Sequence, residues 1–232
     1  AAAYEKLASD LAQADITLAG DEVTFAAVWP ERPAPPSSAV SGFAHAQAAR
    51  GAKRKTVMAS VHAQGADALF VTALDDIAWI TNLRGGDVAH MPVFTAYLLV
   101  EDAGCTLYCD RCRFEKALLT ELAADGIQVE PYEAAASHVA QRARGRHLSI
   151  DPGTTTEALF EELCAAQDVA VVRADNPVPA IKAVKTRAEL EALRETMIKD
   201  GAALCELFAW IEEEFAADRP LTETSVAEKL AQ

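Results

Sequence analysis

No stretch of this chain approaches the roughly 20 consecutive apolar residues that a membrane-spanning helix needs, and no charged start followed by an apolar core marks a signal peptide. Basic residues are scarce as well. The sequence holds 21 Lys and Arg against 35 Asp and Glu, a formal net charge of -14, so its average field repels a phosphate backbone and disfavours nucleic-acid binding. The one concentrated exception, RGAKRK from Arg50 to Lys55, reads as a solvated helix start. Cysteine is too sparse and odd in number for a disulfide scaffold: Cys105, Cys109, Cys112, Cys164 and Cys205 fit reduced thiols in a cytosolic protein. The five His show no HxxxH or HExxH spacing and read as surface or helix-face residues. Cys109-Asp110-Arg111-Cys112 is a CxxC between a strand and a helix, where a helix N-terminus can stabilise a thiolate. A free-standing redox centre or half of a zinc site would use that spacing. With no second CxxC or His pair after it, ordinary semi-buried thiols are the reading kept.

What is present is the composition of a globular protein, 51% apolar and 24% charged over 232 residues, enough for one or two domains. Leu7 and Leu11 fall on one helical face, and the short apolar runs Ile16-Thr17-Leu18 and Val23-Thr24-Phe25 follow. Pro30, Pro33, Pro35 and Pro36 then hold the backbone extended, as an interdomain linker. From Ser41 to Val172 helical and strand patterns alternate, which predicts an α/β layer. A helix is expected over Gly42 to Gln64 with a stop at Gly65, a strand at Ala68 to Thr72 and a helix around Asp75 to Ile80. Strands at Val93 to Val100 and Thr106 to Cys109 flank the turn Glu101-Asp102-Ala103-Gly104, a hairpin that makes the sheet mixed. A helix from Phe114 to Leu122 ends at Asp125-Gly126, and strands at Ile127 to Val129, His147 to Ile150 and Val169 to Val172 alternate with helices at Ala134 to Arg144 and Thr156 to Ala166.

After Asn176-Pro177-Val178-Pro179, a capping box at Thr186-Arg187-Ala188-Glu189 opens a helix of about thirty residues, near 45 Å long at ~1.5 Å each. Leu190, Leu193, Met197, Leu204, Phe208, Ile211 and Phe215 form its apolar stripe, and from Ala183 onward eleven acidic residues outnumber six basic ones. Beyond Pro220, Thr222 to Ser225 offers capping side chains for another helix, with Glu228 placed to close a box on Ser225. The uncapped start and the short final helix both read as cut ends of a longer protein.

ALDDIAWITNLRGGDVAHMPVFTAYLLV, from Ala73 to Val100, resembles the N-terminal region of the large cytosolic Xaa-Pro aminopeptidases (aminopeptidase P, of the creatinase or pita-bread metallopeptidase family). KAVKTRAELEALRETMIKDGAALCELFAWIE, from Lys182 to Glu212, resembles the start of that family's catalytic domain, and VWPERPAPP from Val28 resembles its hinge more weakly. The resemblance implies a creatinase N-terminal-like fold with a mixed β-sheet flanked by helices, followed by a long helix that begins the catalytic domain. Residues 1–40 would be the tail of a first domain plus linker, 41–182 the second α/β domain and 183–232 the first helices of a truncated catalytic domain. It further implies a metal-dependent hydrolase that releases the residue preceding a proline in short peptides. Such enzymes use two divalent ions, manganese or zinc, held by two Asp, one His and two Glu, and are cytoplasmic and commonly homodimeric through the catalytic domain. None of those ligands can be assigned in this chain, so it is expected to be inactive alone, with no catalytic and no metal residue. The alternative is a pita-bread relative without metal, acting as a protein-interaction module of the kind found in a histone chaperone, which the acidic surface would suit.

Asn82-Leu83-Arg84-Gly85-Gly86-Asp87 carries the local hypothesis. The double glycine allows positive φ and a tight turn, exposing Arg84 and Asp87 on a loop. An Arg84–Asp87 pair locking that loop is the plainer reading. In the family the N-terminal domains border the groove over the catalytic domain, so Arg84, Asp87 and His90 are candidates for shaping peptide access. Asp75-Asp76 sit adjacent on a helix and do not face each other, so they read as first-turn charges that complement the helix dipole.

Overall fold

The computed structural model describes residues 1–20 and 27–231; the apolar run at Val23-Thr24-Phe25 lies outside the described residues. They fall into two compact units, one running to Ala183 and one from Val184 onward.

The first unit opens with α1 (Ala2–Ala12), which buries no side chain but is pinned by Ala2 N–H to Pro152 O at 2.9 Å and by Arg173 to the Glu5 carboxylate at 2.6 Å. Next come β1 (Ser41–Gly42), α2 (Arg50–Ala63), β2 (Ala68–Val71), α3 (Leu74–Thr81), β3 (Leu83–Arg84), β4 (Tyr97–Glu101) and β5 (Cys105–Tyr108). A 3-10 turn at Arg111–Arg113 leads to α4 (Lys116–Ala124), β6 (Ile127–Glu130), α5 (Ala135–Arg142), β7 (Arg146–Ile150), α6 (Glu157–Cys164), β8 (Val169–Arg173) and α7 (Val178–Ala183).

Six strands form one sheet in the order β6-β5-β4-β2-β7-β8. The pairs β2–β4 and β4–β5 are antiparallel and the other three are parallel, so the sheet is mixed. Period-2 alternation divides its side chains between two cores. Leu69, Val71, Leu98, Val100 and Leu107 point to the face packed by Val57, Met58 and Val61 of α2, Ile77 and Ile80 of α3 and Leu122 of α4. Ala68, Phe70, Leu99 and Tyr108 point to the opposite face, packed by Val139 of α5 and Leu159, Phe160 and Leu163 of α6. Each face therefore has its own helical cover, as the strand–helix alternation predicts.

The expected hairpin is present: Glu101 and Gly104 exchange backbone hydrogen bonds of 2.9 and 3.3 Å. Its first strand is shorter than expected, because Val93 to Ala96 belong to a buried connection rather than to the ladder. The helix expected from Gly42 begins only at Arg50, since Ser41 and Gly42 pair antiparallel with Arg84 and Leu83. A two-residue pairing across more than forty positions leaves no local pattern to read.

In the second unit, α8 (Arg187–Ala216) starts at the expected capping box: Thr186 Oγ1 accepts from Glu189 N–H at 3.2 Å and the Glu189 carboxylate accepts from Thr186 N–H at 2.8 Å. Of its apolar stripe, Leu190, Leu193, Met197, Leu204, Phe208 and Phe215 are exposed. A Cβ on Gly201 would meet nothing within 4 Å, so no close approach requires glycine there and it costs the helix about 1 kcal/mol against Ala. The final helix, α9 (Glu223–Leu230), is capped by Thr222, not by Ser225. Ser225 closes the reciprocal box instead, because a helix start one turn earlier puts it at the third helical position.

Candidate functional site

Three cations converge on the C-terminal turn of α3. Arg84 donates to Ala78 O at 3.0 Å, Lys53 to Trp79 O at 2.8 Å and Arg50 to Thr81 O at 2.5 Å. Ala78 O also accepts the Asn82 N–H that closes the helix. The last carbonyls of a helix carry its negative dipole end, so positive donors there are favourable. Asn82 ends the helix in the left-handed region at φ 52°, with its amide oxygen accepting from Lys53 at 2.5 Å and its amide nitrogen donating to Ala48 O at 2.9 Å. RGAKRK is consequently not a solvated helix start: Arg50 and Lys53 are buried, and Arg50 also binds Glu121 of α4 and Asp125 just after it at 2.6 Å each.

The N-terminal end of α3 is also tied down. Asp76 is buried and accepts from Asn176 Nδ2 at 2.7 Å and Lys182 Nζ at 2.5 Å, while Asp75 accepts from Lys182 as well. Burial pushes the Asp76 carboxyl up, against the pull of Lys182. The two carboxylates thus do more than complement a dipole, because they anchor the chain leading into α7.

After β3 the chain forms the loop 85–95. Neither Gly85 nor Gly86 is among the glycines with positive φ. Glycine is needed at 85 for close approach instead: a Cβ there would lie 2.6 Å from Phe94 Cβ and 3.2 Å from Val93 O. Asp87 is the centre of the loop's stem. Its Oδ1 accepts from Ser38 N–H at 2.9 Å, Ser38 Oγ at 2.6 Å and Arg113 Nη2 at 2.9 Å, and its Oδ2 accepts from Thr95 N–H and Arg113 Nη2 at 2.7 Å each. Burial pushes this carboxyl up, but the Ser38, Thr95 and Arg113 donors outweigh it and hold it well below the usual carboxylate range.

Arg113, not Arg84, is therefore the cation that locks the loop; the two side chains of the pair are 5% and 1% exposed. Arg84 is half-buried, with its guanidinium over the Phe43 ring at 4.1 Å and donating to Ala78 O and Leu83 O. His90 stands apart from both. It is exposed, at φ 63°, in a turn closed by Met91 N–H to Val88 O at 3.1 Å, between the exposed side chains of Val88 and Met91. The structure does not bring the three candidates' side chains into one cluster: Asp87 braces the loop, Arg84 caps α3 before it and His90 is displayed at its tip. Arg113 and Ser38 escaped the sequence reading, since their partners lie 26 and 49 residues away along the chain.

Cys109 of the CxxC offers no activated thiolate. Cys109 is buried at the end of β5 and its thiol is pushed up to about 11 by burial, whereas Cys112 is exposed on the 3-10 turn. An attacking thiolate requires the opposite shift.

The family profile of the Creatinase/Prolidase N-terminal domain matches residues 31–189. The chain belongs to that family. It is 30% identical to Aminopeptidase P2 of Arabidopsis thaliana over 233 residues, covering 88% of this chain and 33% of the relative. To the probable Xaa-Pro aminopeptidase P of Laccaria bicolor it is 32% identical over 215 residues, covering 88% and 32%. The X-prolyl aminopeptidase of Caenorhabditis elegans, described as a cytosolic enzyme with a di-nuclear active site, superposes with a TM-score of 0.79 at 21% identity, over 98% of this chain and 38% of that one. The mixed sheet flanked by helices is thus the creatinase/prolidase N-terminal fold. The chain spans about a third of the length of the curated relatives it matches. Among the described residues no group of three or more His, Cys, Asp or Glu is placed to hold a metal ion, and no helix is long and apolar enough to cross a membrane.

Proposed function

We propose that this chain is the non-catalytic N-terminal portion of a metal-dependent Xaa-Pro aminopeptidase, and that it has no peptidase activity alone. The observation that carries the reading is the match to Xaa-Pro aminopeptidases across 88% of the chain but only about a third of their length. In this reading residues 1–40 end a first domain and its linker, 41–182 form the second domain and 183–232 open the catalytic domain. The substrates are short peptides with proline second, whose tertiary amide fixes the peptide's shape. The parent protein is cytoplasmic and homodimeric, and its two divalent ions, Mn or Zn, are bound outside these residues. Such ions supply a hydroxide nucleophile at neutral pH. This chain's own contribution is to border the substrate groove with the loop 85–95. His90 is displayed on that loop, Asp87 and Arg113 hold its stem, and Arg84 caps the helix α3 just before it.

Kinetics of the full-length protein carrying His90→Ala test both parts. An Xaa-Pro peptide is expected to be hydrolysed with KM raised several-fold and kcat nearly unchanged, the signature of lost uniform binding. No hydrolysis of that peptide by the unaltered full-length protein would overturn the aminopeptidase reading, and an unchanged KM would overturn the role of the loop.

A further inference from the structure

Ser38 makes more contacts with the loop 85–95 than any pattern around it suggests. Its N–H and its hydroxyl both donate to Asp87 Oδ1, at 2.9 and 2.6 Å. The hydroxyl oxygen accepts from Gly86 N–H at 2.7 Å and its carbonyl accepts from Arg113 Nε at 2.8 Å. The double glycine closes around this one side chain: a Cβ at Gly85 would lie 3.3 Å from Ser38 Oγ, and one at Gly86 would lie 3.7 Å from Ser38 Cβ. Ser38 is only two residues past Pro36, the last proline of the extended run, and two residues before Val40, whose N–H binds Arg113 O at 2.9 Å. A hydroxyl that is donor and acceptor at once is required here. The carboxylate of Asp87 can only accept and the Gly86 N–H can only donate, so no aliphatic side chain could serve both.

We propose that Ser38 is a positioning residue through which the proline-rich segment sets the conformation of the loop 85–95, and with it the fit of the peptide at His90. This rests on the reading of that loop as part of the substrate groove. Ser38 acts through the stem and does not itself touch the peptide. A stem that no longer holds the loop withdraws the contact at His90 from the bound peptide in ground and transition state alike, so the loss is felt in KM.

Two readouts separate the proposal from the reading beneath it. In this chain, hydrogen exchange is expected to speed up about tenfold or more at the Gly86, Asp87 and Met91 amides in Ser38→Ala, with β2, β4 and β7 unchanged, because the stem opens locally and not globally. Ser38→Thr keeps the hydroxyl and is expected to restore slow exchange. In the full-length protein Ser38→Ala is expected to raise KM for an Xaa-Pro peptide several-fold at constant kcat, whereas a folding defect would lower the active fraction without moving KM. Unchanged exchange at those amides overturns the positioning role whatever His90 does. Faster exchange with an unchanged KM, while His90→Ala still raises KM, overturns the link between stem and peptide. If His90→Ala also leaves KM unmoved, it is the groove reading that fails, and the exchange result alone decides what Ser38 sets.

Discussion

Asp87→Ala is expected to destabilise the first unit by about 3–5 kcal/mol, the usual cost of removing one partner from a buried ion pair. The substitution strands the Arg113 guanidinium at 5% exposure and removes the acceptor from Ser38 N–H and Thr95 N–H. Those losses exceed the attraction itself, since an unpaired buried donor bears its full desolvation cost. Asp87→Asn keeps the volume and one acceptor oxygen, and about 2 kcal/mol is expected, near the value of charge-assisted hydrogen bonds. Urea unfolding across pH checks the assignment. The folded-state pKa of Asp87 lies below its unfolded value of 3.8, so its contribution is fully present above that value and is lost as pH falls through the folded pKa. The gap between the natural protein and Asp87→Ala should therefore be constant from about pH 5 to 8 and narrow only in strong acid. A difference under about 1 kcal/mol at neutral pH would show that the pair is no more than a surface contact.

Arg50→Met should cost about 2–3 kcal/mol, although a cluster of basic residues at a helix start would ordinarily be dispensable. Its charged partners Glu121 and Asp125 are themselves largely exposed, so their attraction is screened and counts for little. The expected loss comes from Thr81 O, which would be left buried at the end of α3 without its donor, and from the packing of the Arg50 stem between α2 and α4. Lys55→Met, at an exposed position of the same cluster, is the control and should stay within about 0.5 kcal/mol. Equal effects of the two substitutions in thermal unfolding would return the cluster to the solvated helix face that its sequence suggests.

These two substitutions mark where the sequence could and could not be read. Leu98, Leu99 and Val100 alternate faces, Gly65 and Gly126 stop their helices at φ 79° and 78°, and Thr186 and Glu189 form their box, because each depends on neighbours within a few positions. The turn at Gly85 to Asp87 was visible as a loop for the same reason, although Val93 to Thr95 were read as strand. Its bracing was not. Arg84 is only three residues from Asp87 and looked like its partner, yet the pairing of β3 with β1 and the C-terminal carbonyls of α3 take that guanidinium elsewhere. Arg113 reaches Asp87 only because the 3-10 turn after β5 and the connection into β4 meet at one end of the sheet. Strand order is non-local in the same way: β7 lies beside β2 although roughly eighty residues separate them. Charge composition misled in one particular, since the basic cluster at Arg50 faces inward to a helix end and not outward to a partner.

The most direct test of the account is hydrolysis of an Xaa-Pro peptide with added Mn²⁺, comparing this chain with the full-length protein. Release of the first residue by the full-length protein and none by this chain is the predicted result. Turnover by this chain alone would contradict the assignment of catalysis to residues outside it, and the absence of turnover in both would contradict the aminopeptidase itself.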